Sequence, residues 1–299
     1  MNPDKFAAIA FPGLGIEINP LRSIEIGNFS IYLYGIVIAL GLLLAVLYGC
    51  RRCKEFGLKA DDLTDGVLFI VPFAVLCARL YYCIFEWDSY KDNLLRIFYI
   101  WEGGLAIYGG VIGAAIGIVV FSKVKKIKVG AVLDITSLGF LIGQAMGRWG
   151  NFFNREAFGA ETENFLRMGL YKRVLENGSI INSSTMYYYH PTFLYESLWN
   201  AAGFVLLHQM SKKRSYDGQV ALMYVAWYGL GRTFIEGLRM DSLYIGPFRV
   251  SQLLAAVSCF AAVAMLLYFG FFKKPDPKKM QVHLMQAQEA QQKKQDDAQ

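Results

Sequence analysis

The sequence predicts an all-α polytopic membrane protein with seven transmembrane helices, its N-terminus outside, its C-terminus in the cytoplasm, and a small extracytoplasmic head. Three observations predict this fold class. The 299-residue chain is 55% hydrophobic with a mean hydropathy of +0.33, whereas soluble domains are roughly 45–50% apolar. Seven stretches approach the roughly 20 apolar residues that cross a bilayer. Short basic clusters separate these stretches in a regular alternation.

The predicted spans follow one another along most of the chain. They cover residues 31–50, 65–85, 103–122, 130–147, 191–210, 219–235 and 250–272. The fourth is short and contains Asp134 and Gln144, but the orientation of its neighbours requires a crossing there. In the third span, Gly109, Gly113 and Gly117 recur every four residues, which predicts a smooth helix face for close packing of another helix.

The loops after alternate spans carry the positive charges. The cations are Arg51, Arg52, Lys54 and Lys59 after the first span, Lys123, Lys125, Lys126 and Lys128 after the third, Lys212, Lys213 and Arg214 after the fifth, and Lys273, Lys274, Lys278 and Lys279 after the seventh. Short cytoplasmic loops are enriched in Lys and Arg. This pattern therefore predicts an outside N-terminus and a cytoplasmic C-terminus.

The same pattern divides the chain into a membrane domain and a tail. Residues 1–274 form the predicted seven-helix domain, with an extracytoplasmic head at about 149–189 that is long enough to fold. Residues 275–299 are rich in Gln, Lys and Asp, a composition typical of a solvated extension. We expect this tail to lie in the cytoplasm.

Composition argues against several other classes of protein. The net charge of +6 comes from the loop clusters, so it indicates topology rather than nucleic-acid binding. The five cysteines lie in or beside apolar segments, without the spacing of a disulfide scaffold. The first 20 residues lack the apolar core and cleavage site of a removable signal peptide. No cluster of metal-ligating residues is visible, and we expect no metal.

Ionisable side chains within or at the ends of membrane spans are costly and are candidates for function. The candidates are Arg79, Asp134, Arg148, Glu196, Arg232 and Glu236. Arg232 and Glu236 are four residues apart on one helix, with Tyr228 one turn earlier on the same face. One interpretation is a structural ion pair that locks spans together. The other is an anion receptor, because the planar forks of Arg148 and Arg232 suit a phosphate or phosphodiester.

The sequence GRWGNFFNREAFG at 147–159 is much richer in polar side chains than the end of a membrane span requires. A second polar cluster opens the fifth span, with His190 and Glu196. Tyr34 and Tyr108 lie near the outer ends of two further spans. Polar groups of at least four spans thus converge on the outer half of the bilayer, which predicts an anionic amphiphile as ligand. Composition and spacing alone do not separate a lipid-modifying enzyme from a transporter of an anionic lipid.

At these residues the sequence resembles the phosphatidylglycerol–prolipoprotein diacylglyceryl transferase family of bacterial inner-membrane enzymes. The pattern GR-x-GNF-x-N-x-E-x-FG at 147–159 is similar to the signature of that family. Further matches run along nearly the whole membrane region, in order Tyr34-Gly35, Gly103-Gly104-Leu105, Tyr108-Gly109-Gly110, His190-Pro191-Thr192, Tyr195-Glu196, Tyr228-Gly229, Arg232, Glu236 and Arg239. The tail beyond about residue 274 is not covered.

The resemblance implies a reaction and a set of site residues. The sn-1,2-diacylglyceryl group of phosphatidylglycerol moves to the lipobox cysteine thiol of a prolipoprotein, a thioether forms, and glycerol 1-phosphate leaves. By this resemblance Arg148 binds the lipid phosphate, and Arg232 stabilises the phosphate or promotes thiolate formation. The remaining implied catalytic and substrate-binding residues are Tyr34, Tyr108, Tyr228, Asn151, Glu156, Gly159 and Glu236. The implied enzyme needs no cofactor, since an alkyl transfer from an activated lipid has no redox step.

One position departs from the family pattern. Many members have a histidine, proposed as the base, where this chain has Tyr108. The pKa of a neutral tyrosine is about 10, a poor match to deprotonating a thiol at neutral pH. Either a nearby arginine activates Tyr108, or the histidine is not a universal base. Our hypothesis is the second, in which the positive charge of Arg232 helps to ionise the thiol.

Two hypotheses that assign the protein to other functional classes remain as alternatives. A transporter or flippase of an anionic lipid predicts polar residues in the cytoplasmic half as well, and paired repeats. The sequence shows no clear repeat, and its polar residues favour one side. A receptor or scaffold with a partner-binding head leaves the intramembrane arginines unexplained.

Overall fold

The computed structural model describes residues 8–27, 29–176, 179–239, 244–245 and 248–297. A helix lies at each of the seven predicted stretches. In chain order these helices are α1 Leu33–Arg52, α2 Ala60–Phe85, α3 Ile107–Lys125, α4 Val129–Asn154, α5 Thr192–Ser211, α6 Gln219–Glu236 and α7 Val250–Leu267. A π-helix, Tyr268–Lys273, continues α7.

Five helical segments in the described part of the chain are long and apolar enough to cross a membrane. They are Leu33–Phe56, Ala60–Phe85, Ile107–Lys125, Val129–Asn154 and Val250–Lys273. The prediction of a mostly helical, polytopic membrane protein is therefore confirmed. The number of seven spans and the orientation of the termini stay predictions.

Helices α5 and α6 are long enough to span but less apolar, and the reason is visible in their sequences. Helix α5 carries Glu196 and Asn200, both buried, and α6 carries Arg232 and Glu236 near its end. Charged and amide groups are expensive in hydrocarbon unless they face other protein groups. The two helices that carry Glu196, Arg232 and Glu236 are thus less apolar than a typical span.

The described residues fall into two compact units, which are described separately. The first unit comprises Met1–Ala45, Leu138–Lys212 and Leu222–Phe272. The second comprises Val46–Ser137, Lys213–Ala221 and Lys273–Gln299.

The first unit contains a four-stranded antiparallel sheet, so the expectation of an all-α chain is wrong in this respect. Its strands are β1 Ile9–Phe11, β2 Ile16–Ile18, β5 Met168–Glu176 and β6 Ser179–Tyr189, in the spatial order β2-β1-β5-β6. Buried side chains of the sheet pack with helical phenylalanines in one apolar cluster of Ile9, Phe11, Phe152, Met168, Leu170, Tyr189 and Phe193. Sequence reasoning predicted a folded head at 149–189 but did not anticipate that residues 9–18 pair with it. In that predicted head, residues 177–178 lie outside the described part.

A two-stranded hairpin, β3 Ser23–Ile26 and β4 Phe29–Tyr32, leads into α1. Its register pairs Ile24 with Ile31 and Ile26 with Phe29, and all four side chains are exposed. Because side chains alternate between the faces of a strand, these four share one apolar face.

The second unit is built on the pairing of α2 with α3. A Cβ added at Gly109 would lie 2.4 Å from Tyr81 Cβ, and one at Gly113 would lie 2.5 Å from Cys77 Cβ. Only glycine permits so close an approach of the two helices. The predicted close packing on the glycine face of α3 is confirmed.

The chain after α7 ends in a further helix, α8 Gln281–Asp296. Its first backbone N–H, on Gln281, donates to Asp217 Oδ2 at 2.7 Å, and Lys128 N donates to Gln281 Oε1 at 3.1 Å. The beginning of α8 is thus fastened within the second unit, while most of its remaining residues are exposed.

Candidate active site

A buried carboxylate, Glu196 on α5, lies at the centre of the site in the first unit. Its side chain is 4% exposed. Arg148 of α4 approaches Oε2 with Nη2 at 2.7 Å, and Arg232 of α6 approaches Oε1 with Nη1 at 2.8 Å. Arg239, after α6, brings Nη1 to 3.7 Å from Oε1. Three guanidiniums from three chain segments therefore converge on one carboxylate.

Arg232 joins this carboxylate to a second one. Its Nη2 lies 2.6 Å from Glu236 Oε2, the i, i+4 pair expected from the sequence. The ion pair expected from the sequence is therefore present, and its structural interpretation stays a prediction. The anion-receptor interpretation survives beside it, because Arg148, Arg232 and Arg239 carry three positive charges and Glu196 and Glu236 carry two negative ones. One positive charge remains in this partly buried cluster.

Asparagine side chains extend the cluster from Arg148 along the end of α4. Arg148 Nη1 donates a long hydrogen bond of 3.4 Å to Asn151 Oδ1. The amide groups of Asn151 and Asn154 both donate to Glu156 Oε1, at 3.1 and 3.2 Å. The exposed Glu156 carboxylate thereby orients Asn151, whose weakly engaged oxygen faces Arg148.

Tyr34 of α1 packs directly on the arginine-bearing turn of α4. A Cβ added at Gly150 would lie 2.5 Å from Tyr34 Cδ2. Glycine at 150, between Arg148 and Asn151, therefore makes room for the tyrosine ring. The structure thus places the Tyr34 ring against Gly150, between the predicted site residues Arg148 and Asn151 in sequence.

Gly159 connects three segments around the site. Its N–H donates to His190 O at 2.9 Å, and it forms an isolated antiparallel bridge with Arg239. A Cβ at this position would lie 2.8 Å from His190 Cβ and 2.9 Å from Leu238 O. The glycine thus positions the start of α5 and the segment that carries Arg239.

Two tryptophans fix α5 against α6. Trp199 and Trp227 stack with ring centroids 4.4 Å apart, and each indole N–H donates to the backbone oxygen of the other at 3.0 Å. Added Cβ atoms at Gly203 and Gly231 would lie 2.2 and 2.1 Å from the indole nitrogens. This reciprocal contact holds the helix of Glu196 in place against the helix of Arg232.

Next to this contact is a small cavity of about 10 Å³. It is lined by Glu196, Trp199, Asn200, Tyr228, Gly231, Arg232 and Ile235. Tyr228 stacks on Tyr224, with ring centroids 5.9 Å apart. Tyr228 therefore lines the same small cavity as Arg232 and Glu196.

His190 contacts two polar side chains near the start of α5. Its Nδ1 lies 3.1 Å from Asn164 Nδ2 and 3.4 Å from the Tyr195 hydroxyl. Burial lowers the pKa of the imidazole below its usual value of 6.5, so neutral imidazole is favoured at pH 7. These contacts join the loop of Asn164 to the start of α5.

Two further ionisable candidates, both in the second unit, are structural. Arg79 of α2 is 2% exposed and donates to the backbone oxygens of Arg96, Ile97, Tyr99, Gly103 and Gly104 at 2.6–3.3 Å. Asp134 of α4 accepts from the backbone N–H groups of Gly218 and Ala221, each at 2.9 Å, and so caps the start of α6. Both are satisfied by backbone groups.

Tyr108 also belongs to the second unit. It is the second residue of α3 and is 41% exposed. Its assignment as a site residue stays a prediction. Among the described residues, no group of three His, Cys, Asp or Glu side chains is arranged to hold a metal ion.

Sequence reasoning missed two polar residues of the site. Asn200 lies four residues after Glu196, and this helical spacing of two polar groups within a span was a usable signal. Arg249, at the start of α7, donates from Nη1 to the backbone oxygen of Glu236. Its position at a span end made it indistinguishable in sequence from an ordinary interfacial cation.

Comparison with known proteins gives a consistent result over most of the chain. Residues 22–268 match the family described as prolipoprotein diacylglyceryl transferase. A protein of Listeria innocua named phosphatidylglycerol–prolipoprotein diacylglyceryl transferase is 41% identical over 258 residues, 85% of this chain and 92% of its own length. Proteins of the same name from Ligilactobacillus salivarius and Bacillus velezensis are each 42% identical over 85% of this chain, and over 94% and 93% of their own lengths.

The matched region includes the three converging arginines, both of their carboxylate partners, and the asparagine pair at the end of α4. It also covers every residue that the sequence predicted for the site. The chain belongs to the prolipoprotein diacylglyceryl transferase family.

Proposed function

We propose that this protein transfers the sn-1,2-diacylglyceryl group of phosphatidylglycerol to the lipobox cysteine of prolipoproteins. This is the first step of bacterial lipoprotein maturation. The observation that carries the proposal is the cluster of Arg148, Arg232 and Arg239 around Glu196, with one positive charge in excess over Glu196 and Glu236. A phosphodiester carries one negative charge, which the excess of guanidinium groups in this cluster attracts. The family membership and the names of the relatives support the same activity.

The proposed reaction exchanges one bond for another at a single carbon atom. The cysteine sulfur forms a bond to the C3 carbon of the diacylglyceryl group. The bond from that carbon to the phosphate oxygen breaks, and its electron pair stays on the oxygen. The thiol proton passes to water, and glycerol 1-phosphate leaves. No electron acceptor or donor is required.

The two principal arginines have distinct tasks in this proposal. Arg148, which is 20% exposed at the side chain, binds the phosphate with the donors that Glu196 leaves unused. Negative charge grows on the phosphate as the carbon–oxygen bond breaks, and fixed positive donors stabilise it at that stage. Arg232 adds a second positive charge near the phosphate, and this charge also favours the thiolate form of the attacking cysteine.

Glu196 acts in this scheme as a positioning residue. A carboxylate that contacts two guanidiniums at 2.7 and 2.8 Å restricts both to one geometry. Preorganised donors cost no reorganisation in the transition state. Asn151, aligned by Glu156, extends the array toward the lipid phosphate, and Tyr34 and Tyr228 contribute hydroxyl groups to the walls of the site. Tyr108 completes the set that the family resemblance implies.

The proposal includes the topology that the basic loops predict. Seven helices cross the bacterial cytoplasmic membrane, with the N-terminus outside and the tail after residue 274 in the cytoplasm. The arginine cluster lies toward the outer half of the bilayer, where the lipobox of an exported prolipoprotein arrives. In this arrangement the four-stranded sheet belongs to the extracytoplasmic head, which replaces the predicted all-α description of that region.

The activity is tested by following the leaving group. Purified protein is mixed with phosphatidylglycerol labelled in its headgroup, with and without a lipobox peptide. We expect glycerol 1-phosphate to appear only when the peptide cysteine is present. Release without peptide would indicate a lipid hydrolase, and no release with peptide would contradict the proposed transfer.

A further inference from the structure

Asn200 is a buried amide whose oxygen the described structure leaves unused. It lies on α5, one helical turn after Glu196, and is 1% exposed. Its Oδ1 atom has no hydrogen-bond partner among the described residues. Buried side-chain polar atoms are nearly always hydrogen-bonded, so an unsatisfied one calls for an explanation. The missing partner is a donor that the described residues do not provide.

The space beside Asn200 defines the size of that donor. The cavity of about 10 Å³ that Asn200 lines is shared with Arg232, Glu196 and Tyr228. One water molecule needs roughly 10–15 Å³ of such space. The cavity therefore accommodates one oxygen atom with its hydrogens and excludes a phosphate group.

The charges around the cavity limit the chemistry further. A hydroxyl group both donates and accepts, so one hydroxyl can donate to Asn200 Oδ1 and accept from the Arg232 guanidinium. A methyl group would leave the amide oxygen unsatisfied. An ammonium group would face a cluster with an excess of guanidiniums. An alcohol on the ligand meets all of these requirements.

We propose that Asn200 binds a hydroxyl of the headgroup glycerol of phosphatidylglycerol. This inference rests on the proposed function and deepens it. Arg232 would contact the phosphate side of the headgroup, and the cavity next to it would receive the alcohol, displacing one water molecule. Asn200 is then a specificity residue for a hydroxylated headgroup, and it takes no part in bond formation.

Such a contact has a measurable consequence for the choice of donor. A site built to hydrogen-bond a hydroxyl discriminates against a donor that lacks it, because its own polar group is then left unpaired. The wild-type protein should use a donor without the bound hydroxyl at least about tenfold less efficiently than phosphatidylglycerol. Two analogues, lacking either the secondary or the terminal headgroup hydroxyl, identify which one is bound.

The test compares three donors, phosphatidylglycerol and its two deoxy analogues, in two proteins. We would measure kcat/KM with phosphatidylglycerol and with each deoxy analogue, for the wild-type protein and for Asn200→Leu. Asn200→Leu should lose about tenfold with phosphatidylglycerol and show no further loss with the analogue that the wild type rejects. Gln144→Leu is a matched control, since it removes another amide of the first unit whose oxygen has no partner among the described residues, but one that does not line the cavity. It should keep the wild-type donor ratio.

The outcomes separate this inference from the proposed function. If the wild-type protein makes product from phosphatidylglycerol and from both deoxy donors equally well, the hydroxyl subsite is wrong while the transferase activity stands. This comparison requires no variant, so a misfolded Asn200→Leu protein would not block it. Equal losses with all donors in Asn200→Leu would indicate a bound water only and also overturn the inference. No product from any donor would count against the proposed function itself.

Discussion

Arg232 Nη1 and Glu196 Oε1 lie 2.8 Å apart, and this contact joins α6 to α5. Glu196 also binds Arg148, so one carboxylate connects α4, α5 and α6. Removing one partner of a buried ion pair leaves an uncompensated charge. The same contacts with Arg148 and Arg232 therefore give Glu196 both its contribution to the stability of the fold and its proposed positioning role.

The variant Glu196→Gln tests this relationship. Loss of the carboxylate leaves two neighbouring guanidiniums without their shared counter-charge, and we expect the free energy of unfolding to fall by about 3 kcal/mol. Thermal unfolding in detergent measures the effect. Glu25→Gln is the control, because Glu25 is an exposed carboxylate of the β3–β4 hairpin. An unfolding temperature for Glu196→Gln equal to that of Glu25→Gln would contradict the account.

Arg148→Lys tests whether the fork of the guanidinium is needed in addition to its charge. Lysine keeps the positive charge but loses the planar array of donors that binds a carboxylate and a phosphate together. We expect kcat/KM for phosphatidylglycerol to fall about tenfold or more in Arg148→Lys and further in Arg148→Ala, with correct folding checked by thermal unfolding. Full activity of Arg148→Lys would reduce the role of Arg148 to that of a point charge.

Gly150→Ala tests the contact between α4 and Tyr34. The added methyl group would lie 2.5 Å from Tyr34 Cδ2, so the ring must move away from the arginine-bearing turn. We expect a loss of activity of about tenfold or more, since small displacements of positioned groups are costly. Gly143→Ala, on the same helix, meets nothing within 4 Å and should be neutral. Comparable activities for the two variants would disprove the role assigned to this contact.

Tyr108→Phe tests the departure from the family pattern. If the positive field of Arg232 promotes thiolate formation, the hydroxyl of Tyr108 is not required as a base, and turnover should stay within about threefold of wild type. Steady-state kinetics and a separate lipid-binding assay would be compared. Loss of turnover with lipid binding intact would show that Tyr108 takes part in proton transfer.

His190 makes the stability of the protein depend on pH. Its pKa is lowered in the folded state by burial, from 6.5. The unfolded chain therefore takes up a proton at a higher pH than the folded protein does. Stability should be fully present above pH 6.5 and fall as the pH drops from 6.5 toward the lowered pKa. Unfolding temperatures between pH 5 and 8 should show this decline, and His190→Gln should flatten it in that window.

The sequence was sufficient to predict the helical stretches and to name most of the ionisable residues that the structure brings together around Glu196. Hydropathy identifies the helices because a bilayer requires long apolar segments. Ionisable residues within those segments are candidates for function because burying them in a membrane costs free energy. This free-energy cost alone did not distinguish the structural residues Arg79 and Asp134 from Arg148 and Arg232 of the candidate site. Arg79 is satisfied by backbone oxygens and Asp134 by backbone N–H groups, and such partners leave no signal in the sequence.

The four-stranded sheet could not be predicted from the sequence, for a different reason. Strand β1 pairs with β2 and, through Ala10 and Gly169, with β5, more than 150 residues away. Three-residue strands are too short for a clear alternation of apolar and polar residues. The pairing depends on tertiary packing of Ile9 and Phe11 in the apolar cluster.

The most direct test of the central claim is intact mass spectrometry of a lipobox peptide after incubation with the purified protein and phosphatidylglycerol. The account predicts a mass increase equal to one diacylglyceryl group on the cysteine, no increase on a matched peptide with serine in its place, and a strongly reduced yield with Arg148→Ala. An unmodified cysteine peptide, under conditions in which one of the related transferases modifies it, would contradict the claim.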